Sequence, residues 1–409
     1  MITRTRTFLT ASFLLMTPMV QAALGWHGPE PFRLDRLDGR QFDYNKESFL
    51  QRLSFTEQPL QGQQLWWQQN GWYGSGGSSR GKEFYIHSLL QQRLTFDAPV
   101  FLGVRHKRSE DLDGVYDRTL FGAGYQSSQG WDLGIWGEVN AAKEDMDIQL
   151  EANRVFADGS WLTGAVVFTD LQYNSKTYGE NRYQQYPITL YATGGTELAG
   201  QRLAAFVNLN LKARYDNLEQ QQSFSDEQVS AGISWQRKLT EQHQLTLEAQ
   251  GLYGKRSAEA LTEQSEALSW QLTRRFQQLT LEWQWFAHAQ QPALGLQASR
   301  LDENDSRFAA GDRAAEYRRE AFAYFRLERP WSEQWSWRPT FYAGYASVRS
   351  ELRIHSDEPL HDRAWLGKFS PNWVWHLSAQ SGAYLLINPT VKLHNLQFGG
   401  GNIQVHIPF

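Results

Sequence analysis

The chain is 409 residues long, carries 44 acidic against 40 basic residues for a net charge of −4, and contains no cysteine. Without a long single-sign charge run it offers no nucleic-acid-binding surface, and without cysteine it has no disulfide scaffold, thiolate metal site or lipid-accepting thiol. Aromatic residues make up 14% of the chain, with 17 Trp, yet the mean hydropathy is −0.57; that average excludes a bundle of membrane helices but not a membrane barrel, in which only every second strand residue meets lipid.

In chain order, Arg4 and Arg6 precede an apolar run over residues 8–20 that closes on Val20-Gln21-Ala22. This is the pattern of an export signal over residues 1–22, with the mature chain starting near Ala23. The run is short, and Pro18 interrupts it, so a spanning helix is the poorer reading. Residues 23–61 hold Gly28, Pro29, Pro31 and a charged stretch at 32–39, and alternate poorly until 49–55. They are expected to form an extension or partial plug, too short for a core of their own.

Residues 62–409 read as the barrel. Phe84, Ile86, Leu90, Leu94 and Phe96 share one face of a period-2 run, Tyr85, His87, Gln91, Arg93 and Thr95 the other; Asp97-Ala98-Pro99 then turns the chain, and Val100, Leu102 and Val104 resume the apolar face. Tight turns are predicted at 127–130, 157–160, 195–200, 240–243, near Gln277, at 330–334 and at 378–381. Longer polar connections are predicted at 109–116, 174–182, 216–225, 257–265, 291–315 and 351–362. The glycine runs at 74–79 and 399–401 lack the Lys and the helix of a phosphate loop and read as loop and strand entry. Short and long connections alternate, which predicts an all-β, antiparallel up-and-down transmembrane barrel of about 18 strands (16–18) counted from Leu65.

Outward faces are predicted from Trp131, Leu133 and Ile135; Leu203 to Leu211 at every second residue; Leu279, Leu281, Trp283 and Trp285; Trp335, Trp337 and Phe341; and Trp373, Trp375 and Leu377. A soluble sandwich using the same residues as its core is the alternative. Opposite parity then points Arg93, Arg105, Lys107, Arg118, Glu138, Asp147, Lys212 and Arg214 into the lumen, as basic, acidic and again basic sectors. Either these charges set a field across a wet lumen that filters small solutes, or they pair with one another and fill it. The inward aromatics Trp136, Phe168, Tyr191, Phe206, Phe286, Tyr324 and Tyr342 would favour a carbohydrate if they formed a continuous row.

No catalytic or metal constellation emerges. The 10 histidines show no metal-ligand spacing, although His376 and His406 approach the same end of the lumen. Consecutive His355-Ser356-Asp357 cannot converge as a triad. Asp145, Asp147 and Asp170 sit where barrel proteases place rim carboxylates, without a His that can be set opposite. No enzyme activity and no cofactor are expected.

At the end of the chain, Ile403, Val405, Ile407 and Phe409 alternate with Asn402, Gln404 and His406. This ending resembles the C-terminal strand of Gram-negative outer-membrane β-barrels, although Pro408 removes a ladder donor. The resemblance implies residence in the outer membrane among its lipids and recognition of residues 402–409 by the barrel-insertion machinery. It also places the short turns and residues 23–61 in the periplasm. The function expected is a porin-like channel for small hydrophilic solutes. The alternatives are a non-catalytic surface-assembly or export component with a periplasmic or surface partner, such as an exopolysaccharide or a protein, and a rim-located enzyme.

Overall fold

The computed structural model describes residues 70–79, 83–111, 114–138, 148–168, 181–185, 187–218, 221–262, 269–286, 290–307, 312–352, 360–378, 383–393, 396 and 398–408. The export signal, the 23–61 extension, Asp147 and Phe409 lie outside them. The described residues form one antiparallel sheet of 22 segments, and its first segment pairs with its last, so the sheet closes into a barrel.

The segments are β1 (Gly71–Ser79), β2 (Glu83–Thr95), β3 (Val100–Asp111), β4 (Gly114–Gln126), β5 (Trp131–Glu138), β6 (Ile148–Val155), β7 (Trp161–Phe168), β8 (Asn181–Gln185), β9 (Ile188–Leu198), β10 (Gln201–Asn217) and β11 (Gln222–Thr240). They continue with β12 (His243–Ala260), β13 (Trp270–Trp285), β14 (Ala293–Arg307), β15 (Asp312–Arg326), β16 (Arg329–Pro330), β17 (Trp335–Trp337), β18 (Thr340–Leu352), β19 (Leu360–Ser370), β20 (Trp373–Ser378), β21 (Ala383–Lys392) and β22 (Phe398–Pro408). Four strands are interrupted once, as β8/β9, β15/β16, β17/β18 and β19/β20, each pair keeping or nearly keeping one register against its neighbour. The described residues thus make 18 barrel strands.

Following paired residues once round the ring returns to β1 roughly 20 residues from the start, a stagger that for 18 strands implies a tilt of roughly 37° and a backbone radius of about 17 Å. Side chains reach only about 6 Å from the wall, so those of opposite walls do not meet.

The connections at one end are tight. Ala199 and Gly200, with φ of 50° and 73°, form a two-residue turn of the type that matches strand twist. At 127–130 and 156–160 one pattern recurs, in which a glycine at φ 81° donates back to Ser127 or Phe156 at 3.0 Å. Asp158 caps the second of these, and the hydrogen bond from the Ser160 backbone holds its carboxyl below the usual carboxylate range. Connections at the opposite end include the long stretches 139–147 and 169–180, which makes that end extracellular and the tight one periplasmic.

Several expectations are corrected. The Gly-Ser run at 74–79 is not a loop but β1, the strand that closes the ring, held by β2 on one side and β22 on the other. No turn occurs near Gln277, which lies inside β13; the periplasmic connection follows Trp285 instead. The predicted loop 291–315 is mostly β14 and the start of β15. The 109–116 and 216–225 connections shrink because β3 and β10 continue to Asp111 and Asn217.

On the outer face, Leu94, Leu102, Ile135, Ile233, Leu279, Leu296 and Phe341 are exposed, and no described residue covers them. This apolar belt has aromatic borders. Towards the periplasm Trp335 stacks on Trp375 at 5.1 Å and Trp283 on Trp285 at 5.0 Å; towards the outside Tyr345 meets Trp365 edge-on at 5.7 Å. Ten residues separate Trp365 from Trp375 along one strand, about 26 Å of height at this tilt, which matches the ~25 Å apolar band of a spanning barrel. A soluble sandwich is ruled out by the closed ring and by this exposed belt.

Candidate functional site

Among the described residues nothing lies outside the sheet, and across the height of the apolar belt the buried side chains belong to the inner wall and are predominantly polar: Gln91, Arg93, Arg105, Asp132, Glu151, Thr193, Asn208, Gln228, Ser234 and Lys368 among them. Two sectors concentrate charge.

The first spans β2 to β6. Its floor is made of inward glycines, because Gly103, Gly122, Gly124 and Gly134 occupy consecutive inner rows of β3, β4 and β5. Trp136 lies flat over Gly103 and Gly122, and Phe101 over Gly124 and Gly134, at positions that any Cβ would fill. Each ring carries an arginine. The Arg105 guanidinium sits 4.0 Å from the Trp136 ring centroid, and that of Arg93 sits 3.6 Å from Phe101. Each arginine then ends on a carboxylate three strands away. Arg93 donates through one nitrogen to both Asp132 oxygens at 2.8 and 2.9 Å, and Arg105 donates to Glu151 at 2.5 and 3.4 Å. Gln91 accepts from Arg105 at 2.9 Å, and Gln149 donates to Glu151 at 2.6 Å. Glycine, ring, guanidinium and carboxylate are therefore stacked into two cross-strand braces. Arg105 is 0% exposed, and with Glu151 it presents the lumen with a neutral pair.

The second sector follows one inner row around six adjacent strands, through Glu282, Gly295, Tyr324, Tyr342, Lys368 and Lys392 in register. Tyr324 lies over Gly295 and donates its hydroxyl to Glu282 at 2.9 Å; Arg326 donates to the other Glu282 oxygen at 2.6 Å. Tyr324 and Tyr342 are 5.6 Å apart. The row ends on two lysines directly opposite each other, 5% and 1% exposed. Like charges facing each other across a ladder repel unless an anion or an acidic group answers them.

Of the residues expected to line the path, Arg93 and Arg105 are the centres of the two braces, and Glu138 is buried in register with Leu120 beside Arg105. Lys107 and Arg118 pair across β3 and β4, two positions beyond that row, with their side chains outside the described set. Lys212 and Arg214 do not face inward. A bulge between Asn210 and Ala213 shifts the register by one, so Ala213 takes the buried inner position; Lys212 and Arg214 are exposed, and Arg214 donates to Ser223 at 2.9 Å. The inward aromatics form separate groups, Phe101 with Trp136, Tyr191 with Phe206, and Tyr324 with Tyr342.

Sequence reasoning passed over Asp132, Glu151, Glu282, Arg326, Lys368 and Lys392. Parity was signal enough for Lys368: Trp373 and Trp375 face outward, and no register shift separates them from it on the interrupted strand β19/β20.

No family model matches the sequence, and no curated protein matches it. Solved structures with a similar chain path include outer-membrane expressed OmpT of Vibrio cholerae, 7% identical over 83% of this chain and 97% of that one, with a TM-score of 0.35. OccAB3 of Acinetobacter baumannii is 9% identical over 83% and 97%, with a TM-score of 0.39. OccK2 (OpdF) of Pseudomonas aeruginosa, solved in complex with glucuronate, is 11% identical over 83% and 96%, with a TM-score of 0.38. By its own closed sheet, lipid-facing belt with aromatic borders and polar inner wall, this chain is an integral outer-membrane β-barrel of the Gram-negative type.

Proposed function

We propose that the barrel passes small hydrophilic solutes and favours anions. The observation that carries this reading is an 18-strand wall whose inner face is polar and charged rather than apolar, at a radius its own side chains do not fill. Such a wall is costly to dry out and is compatible with a water-filled path. Within it, the Arg93 and Arg105 braces are internally neutralised, and Lys368 and Lys392 stand opposite each other in register, with buried Glu320 the acidic group that acts on Lys368. A solute carboxylate or phosphate group passing them meets two basic side chains side by side on the wall.

The test is conductance and reversal potential of refolded protein in a planar bilayer under a KCl gradient. The wild type is expected to conduct with anion preference, and Lys368→Glu/Lys392→Glu to shift the reversal potential towards cation preference. A folded protein that never conducts would discard the channel, leaving a barrel that works through a surface or periplasmic partner. Conductance with unchanged selectivity in the double variant would discard the lysine assignment alone.

A further inference from the structure

At the periplasmic border of the lipid-facing wall one arginine is held by aromatic rings instead of a carboxylate. On β6 the buried residues Gln149, Glu151 and Asn153 take the inner positions, so Arg154 points outward on the same face as Leu150. Arg154 pairs in register with Trp131 of β5 and Leu162 of β7, directly above the tight turns at 127–130 and 156–160. Its guanidinium carbon sits 4.5 Å from the centroid of the Phe156 ring and 5.3 Å from that of Trp131. The Arg154 Nε is buried without a hydrogen-bond partner, and its terminal nitrogens find no acceptor among the described residues. The acidic side chains at this end of β5, β6 and β7 are all described, and each is engaged elsewhere. Asp132 answers Arg93 and Glu151 answers Arg105, both inside the barrel, while Asp158 accepts from the Ser160 backbone at 2.9 Å.

We propose that Arg154 binds the phosphodiester group of a phospholipid in the periplasmic leaflet. The two rings hold the planar fork in place at the level where interfacial aromatics meet lipid headgroups, and they strip part of its hydration. Forked guanidinium donors match a pair of phosphate oxygens better than a point charge does. The wall above completes the fit. Ala152 and Gly164 face outward in register and leave a shallow recess between exposed Leu133 and Leu150, along which an acyl chain lies. Apolar contact above the charge selects a lipid over a free anion, and the position at the periplasmic border selects the inner leaflet. The site is independent of whether the lumen conducts.

The experiment is native mass spectrometry of the full barrel in neutral detergent with phosphatidylglycerol, with diacylglycerol carrying the same acyl chains, and with inorganic phosphate. The wild type is expected to retain the phospholipid at least about fivefold better than diacylglycerol, and Arg154→Gln to lose about fivefold of that retention. Arg154→Lys, a point charge without the fork, is expected to lose an intermediate share. Arg237→Gln is the control, because it removes an exposed cation from the outer face of β11 at the same border, and its retention is expected to stay at the wild-type level. Heat-modifiable gel mobility checks that each variant is folded. Equal retention of both lipids, unchanged retention in folded Arg154→Gln, an equal loss in Arg237→Gln, or displacement of the lipid by millimolar inorganic phosphate would each overturn the proposal.

Discussion

Replacing Arg105 by Met is expected to destabilise the folded barrel by about 3 kcal/mol or more, among the largest effects of any single inner-wall substitution. Met preserves most of the volume and the contact with the Trp136 ring, but it leaves Glu151, buried on the inner face with a side chain only 4% exposed, without its cation. Gln149 still donates to Glu151, but one neutral donor does not replace a guanidinium. The loss is therefore dominated by an unanswered carboxylate rather than by a missing attraction. Removing both charges in Arg105→Met/Glu151→Leu is expected to recover most of it, so the double variant should cost far less than the sum of the singles. Urea unfolding from lipid vesicles, followed by Trp fluorescence, reads this directly. A single-variant cost under about 1 kcal/mol would mean that the pair is solvated and that the brace does not hold the wall.

That brace also marks the limit of what the sequence discloses. Arg105 and Glu151 are 46 positions apart and meet across β4 and β5 only because Gly103 and Gly122 let Trp136 lie down between them. Parity points Arg105 inward, yet parity says nothing about which carboxylate answers it. Where the sheet crosses lipid, the alternation was legible: the outward rows ending on Trp283, Trp285, Trp335 and Trp375 and the tight turns at 127–130, 157–160 and 240–243 stand where the pattern put them. It failed where strands leave the membrane but stay in the sheet. Arg300 and Asp302 look like loop because charge is read as exposure to water; Arg300 is indeed exposed, with Asp302 buried beneath it, but both lie on the rising upper half of β14. Gln277 and Gln278 look like a turn for a similar reason; Gln277 sits in the first outward row above the belt and Gln278 faces the polar lumen. Alternation is silent in β1, whose glycines and serines have weak strand preference and are held by partners on both sides. It is misleading past Asn210, because a single bulge residue exchanges the inner and outer rows and turns Lys212 and Arg214 from predicted lumen cations into surface ones.

The same wall predicts that a residue normally welcome in strands is harmful in this one. Val for Gly in a strand interior is favourable by up to about 1 kcal/mol on backbone and packing grounds. At Gly122 the sign is expected to reverse, with a cost of about 3 kcal/mol. A Cβ there would overlap the Trp136 ring, and one on Gly103 would come within 2.7 Å of it. The ring has little room to yield, since Arg105 is stacked on its other face at 4.0 Å and is itself tied to Glu151. Gly137→Val is the internal control: it lies one residue from Trp136 on the opposite face of β5, where an added Cβ meets nothing within 4 Å, and it is expected to be neutral or slightly stabilising. Trp136→Ala should relieve much of the Gly122→Val penalty while carrying a cost of its own, giving a coupling energy of about 1–3 kcal/mol in the double-mutant cycle. If Gly122→Val and Gly137→Val shift the urea midpoint alike, the glycine floor is only a local composition. If they part as expected, those glycines exist to seat the ring, and the ring exists to carry the arginine that ties β3 to β6.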